Sequence, residues 1–223
     1  MKTDYPYPVL AREGWPFLAL FLGVAIVLQI FTNGWWASPF YLLFLFSLQF
    51  FRDPRRPLPA LSDRSVVCPA DGKVIAVEQV DDPYLSRPAL KISIFMNVFD
   101  VHVNRMPVKG QVQKVWYFPG KFFNAALDKA SLENERNALW VKTDDGSDVT
   151  VVQVAGLVAR RIVCYVSAEV AESAVTAGQR FGFIRFGSRV DTYLPFSAQP
   201  LVVVGERVRS GAQCIATLGV QQP

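Results

Sequence analysis

Two long apolar runs near the N-terminus constrain this chain more than any other feature of its sequence. The first extends from Trp15 to Phe31 and the second from Trp35 to Phe51, with only the tripeptide Thr32-Asn33-Gly34 between them. Each run has about 17 residues, which is the short limit for a helix that crosses a bilayer. Because Asn-Gly is a strong turn signal, the sequence predicts two helices joined at a tip.

The second helix is predicted to begin at Ser38-Pro39, as a capping residue followed by proline at the first helical position. Trp15, Trp35 and Trp36 lie at the ends of the runs, where amphipathic rings prefer the membrane interface. A secretory signal peptide is disfavoured, because no small-residue cleavage site is present and a second apolar run follows directly. Two alternatives stay open: a helical hairpin buried in a soluble protein, and a hairpin that enters one leaflet without crossing it.

Basic residues flank both outer ends of this hairpin. The positive-inside rule therefore predicts a protein of the cell membrane whose chain ends and globular part face the cytoplasm. Three prolines after the hairpin indicate a stiff linker. We accordingly expect residues 1–59 to form a membrane anchor with its linker, and residues 60–223 to form a separate domain. The flanking basic residues are Lys2, Arg12, Arg52, Arg55, Arg56 and Arg64, and the linker prolines are Pro54, Pro57 and Pro59.

From Ser65 onward the sequence predicts a mainly β domain, of the sandwich or barrel-like α+β class. Short segments of alternating polarity are bounded by turn residues, which is typical of strands. Asp144 to Ser147 is predicted to be a hairpin turn, and 124–135 a helix rich in Ala, Leu, Lys and Glu. The predicted strands are 66–68, 73–80, 91–95, 112–117, 139–143, 149–155 and 161–166.

Composition limits the chemistry that this domain can use. The formal net charge of +4 suits an anionic membrane surface and only weakly a nucleic acid. The three cysteines are far apart and give no disulfide framework. His102 is the only histidine, so a metal site is not expected, and any imidazole chemistry has to use this residue.

The segment from Phe181 to Pro195 is predicted to form two strands that meet at a tight turn, Gly187-Ser188. Glycine leaves its own peptide carbonyl unshielded, because it has no Cβ. A serine hydroxyl at Ser188 is therefore a candidate nucleophile for the carbonyl just before it. The alternative is an ordinary Gly-Ser turn, since both residues are common in turns.

Three further polar segments are candidates for chemistry. On a strand, Asp100, His102 and Asn104 would share one face, where a carboxylate can orient an imidazole; the alternative is a structural histidine. Asp71 lies in Ala-Asp-Gly-Lys, which is otherwise a hairpin turn. The segment from Glu133 to Asn137 is otherwise a solvated helix end.

Four segments together resemble the phosphatidylserine decarboxylase proenzyme family, most closely its short form. They are PADGKV at 69–74, FMNVFDVHVNRMP at 95–107, NER at 134–136 and RFGSRVD at 185–191. They stand in the family's order, and the similarity extends from about Phe50 to the end of the chain.

This resemblance implies that the chain is a zymogen that cleaves itself between Gly187 and Ser188. Residues 1–187 (the β chain) and 188–223 (the α chain) would then form a heterodimer, with a homo-oligomer of these pairs expected. Ser188 would become a covalent pyruvoyl cofactor. Phosphatidylserine from the membrane would bind it as a Schiff base and leave as phosphatidylethanolamine and CO2. Neither a nucleic acid nor a metal is expected as a partner.

The implied catalytic residues are Ser188, His102 and Asp71, with Asn97, Asn104 and Arg105 as candidates for substrate binding. Longer family members have a second histidine where this sequence has Arg105. It therefore stays open whether His102 serves self-cleavage, decarboxylation or both. The alternative function is a non-enzymatic, membrane-anchored β-sandwich adaptor, which predicts an uncut chain. A membrane serine protease is a weaker alternative, because it would have to cleave other chains.

Overall fold

The computed structural model describes residues 7–32, 34–126, 133–156, 162–166, 174–185 and 187–219. The chain divides into two compact units between Arg55 and Arg56. The first unit is helical and the second is built of strands. The mainly β fold with an N-terminal hydrophobic hairpin, as the sequence predicts, is confirmed.

The first unit is a pair of helices, α1 (Trp15–Phe31) and α2 (Gly34–Phe50), preceded by one 3₁₀ turn (Arg12–Gly14). The chain segments before α1 and after α2 pair with each other. Ala11 donates its N–H to the carbonyl of Phe51 at 2.7 Å, and Asp53 donates to the carbonyl of Val9 at 2.6 Å. These bonds close the hairpin at its open end.

The prediction that the second helix begins at Ser38-Pro39 is wrong, because α2 begins at Gly34 and contains Pro39 in its interior. Proline lacks the N–H that would bind the carbonyl of Trp35, four residues earlier. The Ser38 hydroxyl donates to that same carbonyl at 2.8 Å. The neighbouring serine therefore replaces the missing backbone hydrogen bond, which lets the helix continue through the proline.

Many large side chains exposed on α1 and α2 are apolar. Within the described residues, one helical stretch, Arg12–Phe31, is long and apolar enough to cross a membrane, with a mean hydropathy of 2.1. Side-chain hydroxyls of Thr32 and Ser47 donate to backbone carbonyls four residues earlier, so these polar groups are satisfied within the hairpin, as a bilayer requires. The apolar helix suggests membrane association.

The second unit contains a large antiparallel sheet and two small ones. In the large sheet the strand order is β13-β2-β3-β11-β7-β6-β5-β9, and the small sheets have the orders β1-β14-β12 and β4-β10-β8. The strands are β1 (Ser65–Val67), β2 (Gly72–Asp82), β3 (Arg87–Met96), β4 (Val103–Arg105), β5 (Gly110–Phe118), β6 (Arg136–Lys142), β7 (Asp148–Val154), β8 (Ile162–Cys164), β9 (Ala174–Val175), β10 (Arg180–Ile184), β11 (Ser188–Pro195), β12 (Gln199–Pro200), β13 (Arg207–Val208) and β14 (Cys214–Thr217).

The main cluster of buried apolar side chains joins the large sheet to the two small sheets. Ile92 and Ile94 of β3, Val190 of β11 and Phe181 of β10 all belong to it. Strand β11 pairs with β3 on one side and β7 on the other, and it is buried from Ser188 to Leu194. The residue at the start of β11 is therefore held inside the domain.

The strands lie where the sequence pattern predicts them. All seven predicted strand segments contain a strand, and the hairpin turn from Asp144 to Ser147 joins β6 to β7, with Gly146 at φ 83°. In the predicted helix, residues 127–132 lie outside the described residues. Of its described residues, Asn134 forms an isolated β-bridge with Lys121.

Candidate functional site

The Gly187-Ser188 pair lies where the chain passes from a small sheet into the large one. The two strands predicted around it are confirmed as β10 and β11, but they do not pair as a hairpin. Strand β10 pairs with β4 and β8, whereas β11 pairs with β3 and β7. Gly187 has φ 58°, in the left-handed region that suits glycine. The pair is thus a corner between two sheets.

Ser188 is fully buried at this corner. Its backbone lies opposite Met96 of β3. Its hydroxyl oxygen has no hydrogen-bond partner among the described residues. Leaving a buried hydroxyl unpaired costs roughly 1–3 kcal/mol, so this group calls for an explanation beyond stability.

Gly156, just beyond the end of β7, lies directly against the Gly187 carbonyl. A Cβ atom placed on Gly156 would be 1.6 Å from the Gly187 oxygen and 2.7 Å from the carbonyl carbon. No side chain fits in that space, so only glycine permits this approach. The carbonyl that precedes Ser188 therefore belongs to one glycine, Gly187, and lies against a second, Gly156.

His102 is buried next to the strand that leads into the corner. Its backbone carbonyl accepts a hydrogen bond from Ile184 at 3.3 Å, three residues before Gly187. Its Nδ1 lies 2.9 Å from the backbone carbonyl of Asp100. Since a carbonyl only accepts, Nδ1 carries the proton, and in the neutral ring Nε2 is the basic nitrogen.

The prediction that Asp100, His102 and Asn104 share one face of a strand is wrong. Asp100 lies in a turn, and β4 begins only at Val103. The Asp100 carboxylate accepts the backbone N–H of Asn97 at 2.9 Å and forms an ion pair with Arg207 at 3.3 Å. The backbone of Asp100, and not its carboxylate, orients the imidazole.

Asn104 belongs to a buried chain of amides that the sequence did not reveal. Gln153 of β7 donates to Asn104 Oδ1 at 2.8 Å and accepts from Asn137 at 3.1 Å. Asn104 Nδ2 contacts the sulfur of Met96, the residue opposite Ser188. Gln153 itself lies opposite Val190. In the sequence, Gln153 is distinguished only as a polar residue among valines, in Val151-Val152-Gln153-Val154.

Asn134 ties together the loop and the strand end that surround Gly156. Its side chain donates to the carbonyls of Phe123 at 2.8 Å and Ala155 at 2.7 Å, and it accepts from the Phe123 N–H at 3.0 Å. It is fully buried, so the solvated helix end considered for this segment does not apply to it. Asn134 therefore fixes the backbone that faces the Gly187 carbonyl.

Asp71 is buried in an ion pair that holds the start of β2. Arg56 approaches its carboxylate with both terminal nitrogens, at 2.5 and 2.8 Å, and the Ser210 N–H donates to it at 2.8 Å. Strand β2 pairs with β3, and β3 pairs with β11, so Asp71, which directly precedes β2, lies about two strand spacings, roughly 10 Å, from the strand that begins at Ser188. The predicted role of Asp71 in self-cleavage stays a prediction.

Asn97 and Arg105, the other two candidates for substrate binding, make local contacts. Asn97 accepts the N–H of Phe99 at 2.8 Å and so shapes the turn before His102. Arg105 donates to the carbonyl of Gly178 at 3.2 Å, and its side chain lies against Gly211. Their predicted contacts with a substrate stay predictions.

Arg189 and Asp191 form a buried ion pair immediately after Ser188. The guanidinium contacts both carboxylate oxygens, at 2.9 and 3.0 Å, and also donates to the carbonyl of Ala125 at 3.0 Å. Burial, and then the Asp191 carboxylate, raise the pKa of Tyr193 on the same strand. This pair anchors the first residues of β11 to the loop that surrounds the corner.

Two of the three cysteines have thiols whose pKa is raised by burial. Burial raises the pKa of the Cys68 thiol far above its usual range, and the same cause raises the pKa of Cys164. Both therefore remain neutral thiols at physiological pH. Within the described part of the chain, no group of three His, Cys, Asp or Glu side chains is close enough to hold a metal ion.

The fold and this site define a mainly β domain with a glycine–serine pair, its serine buried, at the corner between two sheets. The family model for phosphatidylserine decarboxylase matches residues 43–216. Three similar chains are named phosphatidylserine decarboxylase proenzyme. The one from Aromatoleum aromaticum is 56% identical over 98% of this chain and 100% of its own length. That from Nitrosomonas europaea is 60% identical over 93% and 95%, and that from Ralstonia pickettii is 56% identical over 98% and 100%.

The chain therefore belongs to the phosphatidylserine decarboxylase family, whose members are carboxy-lyases. The resemblance that four short motifs indicated is confirmed over nearly the whole length. Membership in an enzyme family removes the reason to retain the adaptor alternative.

Proposed function

We propose that this chain cleaves itself between Gly187 and Ser188, turns Ser188 into a pyruvoyl group and thereby decarboxylates phosphatidylserine to phosphatidylethanolamine and CO2. The observation that carries the proposal is the buried Ser188 hydroxyl, which has no hydrogen-bond partner among the described residues. It adjoins the carbonyl of a left-handed glycine. The relatives' designation as proenzymes supports the same reading.

The proposed self-cleavage needs only the chain and one water molecule. Ser188 Oγ adds to the Gly187 carbonyl carbon, the peptide C–N bond breaks, and the freed amine takes up the hydroxyl proton. Loss of the Ser188 Cα proton then expels the Gly187 carboxylate from Cβ, and water releases the nitrogen as ammonia. The products are residues 1–187 and 188–223, so the smaller piece has 223 − 187 = 36 residues.

A pyruvoyl carbonyl supplies the electron sink that loss of CO2 from an amino acid requires. The residues of this chain then have to place the substrate and move a proton. His102 is suited to transfer this proton, because its Nδ1–H donates to the Asp100 carbonyl and Nε2 remains the basic nitrogen. Asn104, a candidate for substrate binding, accepts a hydrogen bond from Gln153 and contacts Met96, the residue opposite Ser188.

Asp71 enters the proposal as a positioning residue. Its carboxylate is held by Arg56 and Ser210, and it fixes the first residue of β2, next to the strand that pairs with Ser188. Arg105 and Asn97 remain proposed substrate contacts on the segment that carries His102.

The hairpin enters the proposal as the membrane anchor of the enzyme. The flanking basic residues favour a cytoplasmic position for the catalytic unit. The two cleaved pieces would stay together as a heterodimer, because β11 lies between β3 and β7, which belong to the other piece. A homo-oligomer of such pairs is also part of the proposal.

The intact mass of purified, active protein tests this function. We expect two pieces, and we expect borohydride to add two hydrogens to the 188–223 piece, because its first residue carries a ketone. A single species of 24.9 kDa from protein that decarboxylates phosphatidylserine would refute both the cleavage and the cofactor.

Replacing His102 separates its two possible roles. In His102→Gln we expect the cleaved fraction, quantified by mass, to turn over about 10²–10⁴-fold more slowly, since that is the usual contribution of a general acid or base. Rates are normalised to the cleaved fraction, so a defect in maturation does not lower the measured turnover. Normal turnover per cleaved chain would exclude His102 from the decarboxylation step.

A further inference from the structure

An exposed apolar turn lies at one edge of the large sheet. Between β12 and β13, the side chains of Leu201, Val203 and Val204 are 58%, 69% and 60% exposed. The turn is nevertheless ordered by its own bonds: the Val203 N–H donates to the Glu206 carboxylate, and the Gly205 N–H donates to the carbonyl of Val74. Surface turns are normally built from Gly, Pro, Asn, Asp and Ser, so three exposed aliphatic side chains here need a reason.

The side chain of Phe99 is also apolar and exposed, and its loop is linked to the segment after this turn. Phe99, 65% exposed, is in the loop between β3 and His102. The Arg207–Asp100 ion pair at 3.3 Å joins that loop to β13. We call Phe99, Leu201, Val203 and Val204, with the exposed cations Lys73, Arg207 and Arg209, the docking face.

The docking face lies on the same end of the sheet as Ser188. Across the strands, Arg207 is opposite Lys73, Lys73 is opposite Phe95, and Phe95 is opposite Arg189. This row spans three strand spacings, or roughly 14 Å. The loop that carries Phe99 also ends in the buried His102. The face is therefore at the same end of the sheet as the candidate site, roughly 14 Å from the strand that begins at Ser188.

We infer that the docking face lies on the surface of an anionic lipid bilayer and inserts its aliphatic side chains at the headgroup level. The inference rests on the proposed function, because a diacyl substrate has to reach Ser188 from a membrane. Apolar tips flanked by Arg and Lys match a surface that is apolar beneath and anionic above.

Fluorescent labels on the full chain test this contact directly. Val204→Cys and Tyr117→Cys would each carry an environment-sensitive fluorophore, in protein reconstituted into vesicles of equal parts phosphatidylcholine and phosphatidylserine. Tyr117 is 58% exposed on β5, toward the opposite edge of the sheet, and is the matched control. Wild-type protein treated identically gives the background from Cys68, Cys164 and Cys214.

We expect a quencher attached to lipid to quench the label at 204 strongly and the label at 117 weakly. Equal quenching at both positions, or none at 204, would overturn the inference. A change at 204 that depends on protein concentration without vesicles would point to a second copy of the chain and would also overturn it. The label reports contact in cut and uncut protein alike, so failure of the proposed self-cleavage is distinguishable by mass.

Kinetics give a second, independent measurement. Val203→Ser together with Val204→Ser is expected to lower kcat/KM on these vesicles about tenfold, because apolar area no longer enters the interface. Activity on a soluble short-chain phosphatidylserine should stay within about twofold, since neither side chain lies in the buried site. Equal losses on both substrates would show a structural defect and not a docking role.

Discussion

Ser188→Ala is expected to leave the chain as one uncut 24.9 kDa species without decarboxylase activity. The proposed nucleophile is the hydroxyl of Ser188, and the proposed cofactor forms from the remaining atoms of the same residue, so a single change removes both. We expect activity to fall at least about 10³-fold, since the reaction then lacks its electron sink. Intact mass and CO2 release from phosphatidylserine measure the two losses on one sample.

The same variant should fold normally, which makes the result interpretable. Removing a hydroxyl that has no partner among the described residues leaves no buried group newly unsatisfied. Cooperative urea unfolding of Ser188→Ala checks this. Ser188→Thr keeps a hydroxyl but adds a methyl group to a fully buried position, so slow partial cleavage is expected. An alanine variant that still decarboxylates would remove Ser188 from the mechanism.

Alternation of polar and apolar residues was sufficient to predict where most strands lie. In β2 and β5, exposed and buried residues alternate at the start of each strand, as the pleat of a sheet dictates. Pairing is another matter, because it depends on contacts between distant segments. The sequence around Gly187 suggested two strands joined by a tight turn. In the fold these strands do not pair with each other: β10 pairs with β4 and β8, and β11 pairs with β3 and β7.

The candidate site was predictable only where chemistry is carried by rare residue types. His102, the single histidine, and the Gly187-Ser188 pair stood out by identity. Gln153 did not, since its partner Asn104 is 49 residues away in the chain. The assignment of Asp71 to an ion pair was equally hidden, because Ser210 is 139 residues distant and Arg56 resembled a membrane-flanking charge.

Gly156 shows why local patterns miss a structural requirement. In the sequence it is simply the glycine that ends a predicted strand, and many strands end that way. In the fold it lies against the Gly187 carbonyl, 31 residues later. Asn134 and the Arg189–Asp191 pair hold the backbone on both sides of this contact. The requirement for glycine arises from the approach of two backbones, which no neighbouring residue signals.

Gly156→Ala is therefore expected to slow self-cleavage about 10²-fold in a chain that still folds. The new methyl group would lie 1.6 Å from the Gly187 oxygen, so the carbonyl has to move by more than 1 Å. A misplacement of that size costs about 10²-fold in rate. Intact mass over time after synthesis measures the cleavage, and circular dichroism with urea unfolding measures the fold.

Gly110→Ala is the matched control for this steric argument. Its Cβ would lie 2.2 Å from the backbone oxygen of Lys142, so it makes a comparable clash with a carbonyl elsewhere in the large sheet. If self-cleavage depends on the geometry at Gly187, folded Gly110→Ala protein still cuts itself, although its free energy of unfolding falls. Folded Gly156→Ala protein cuts itself about 10²-fold more slowly than the unchanged chain. Equal cleavage in the two variants would mean that the Gly187 carbonyl tolerates displacement, and the attack by Ser188 would then need a different geometry from the one at this corner.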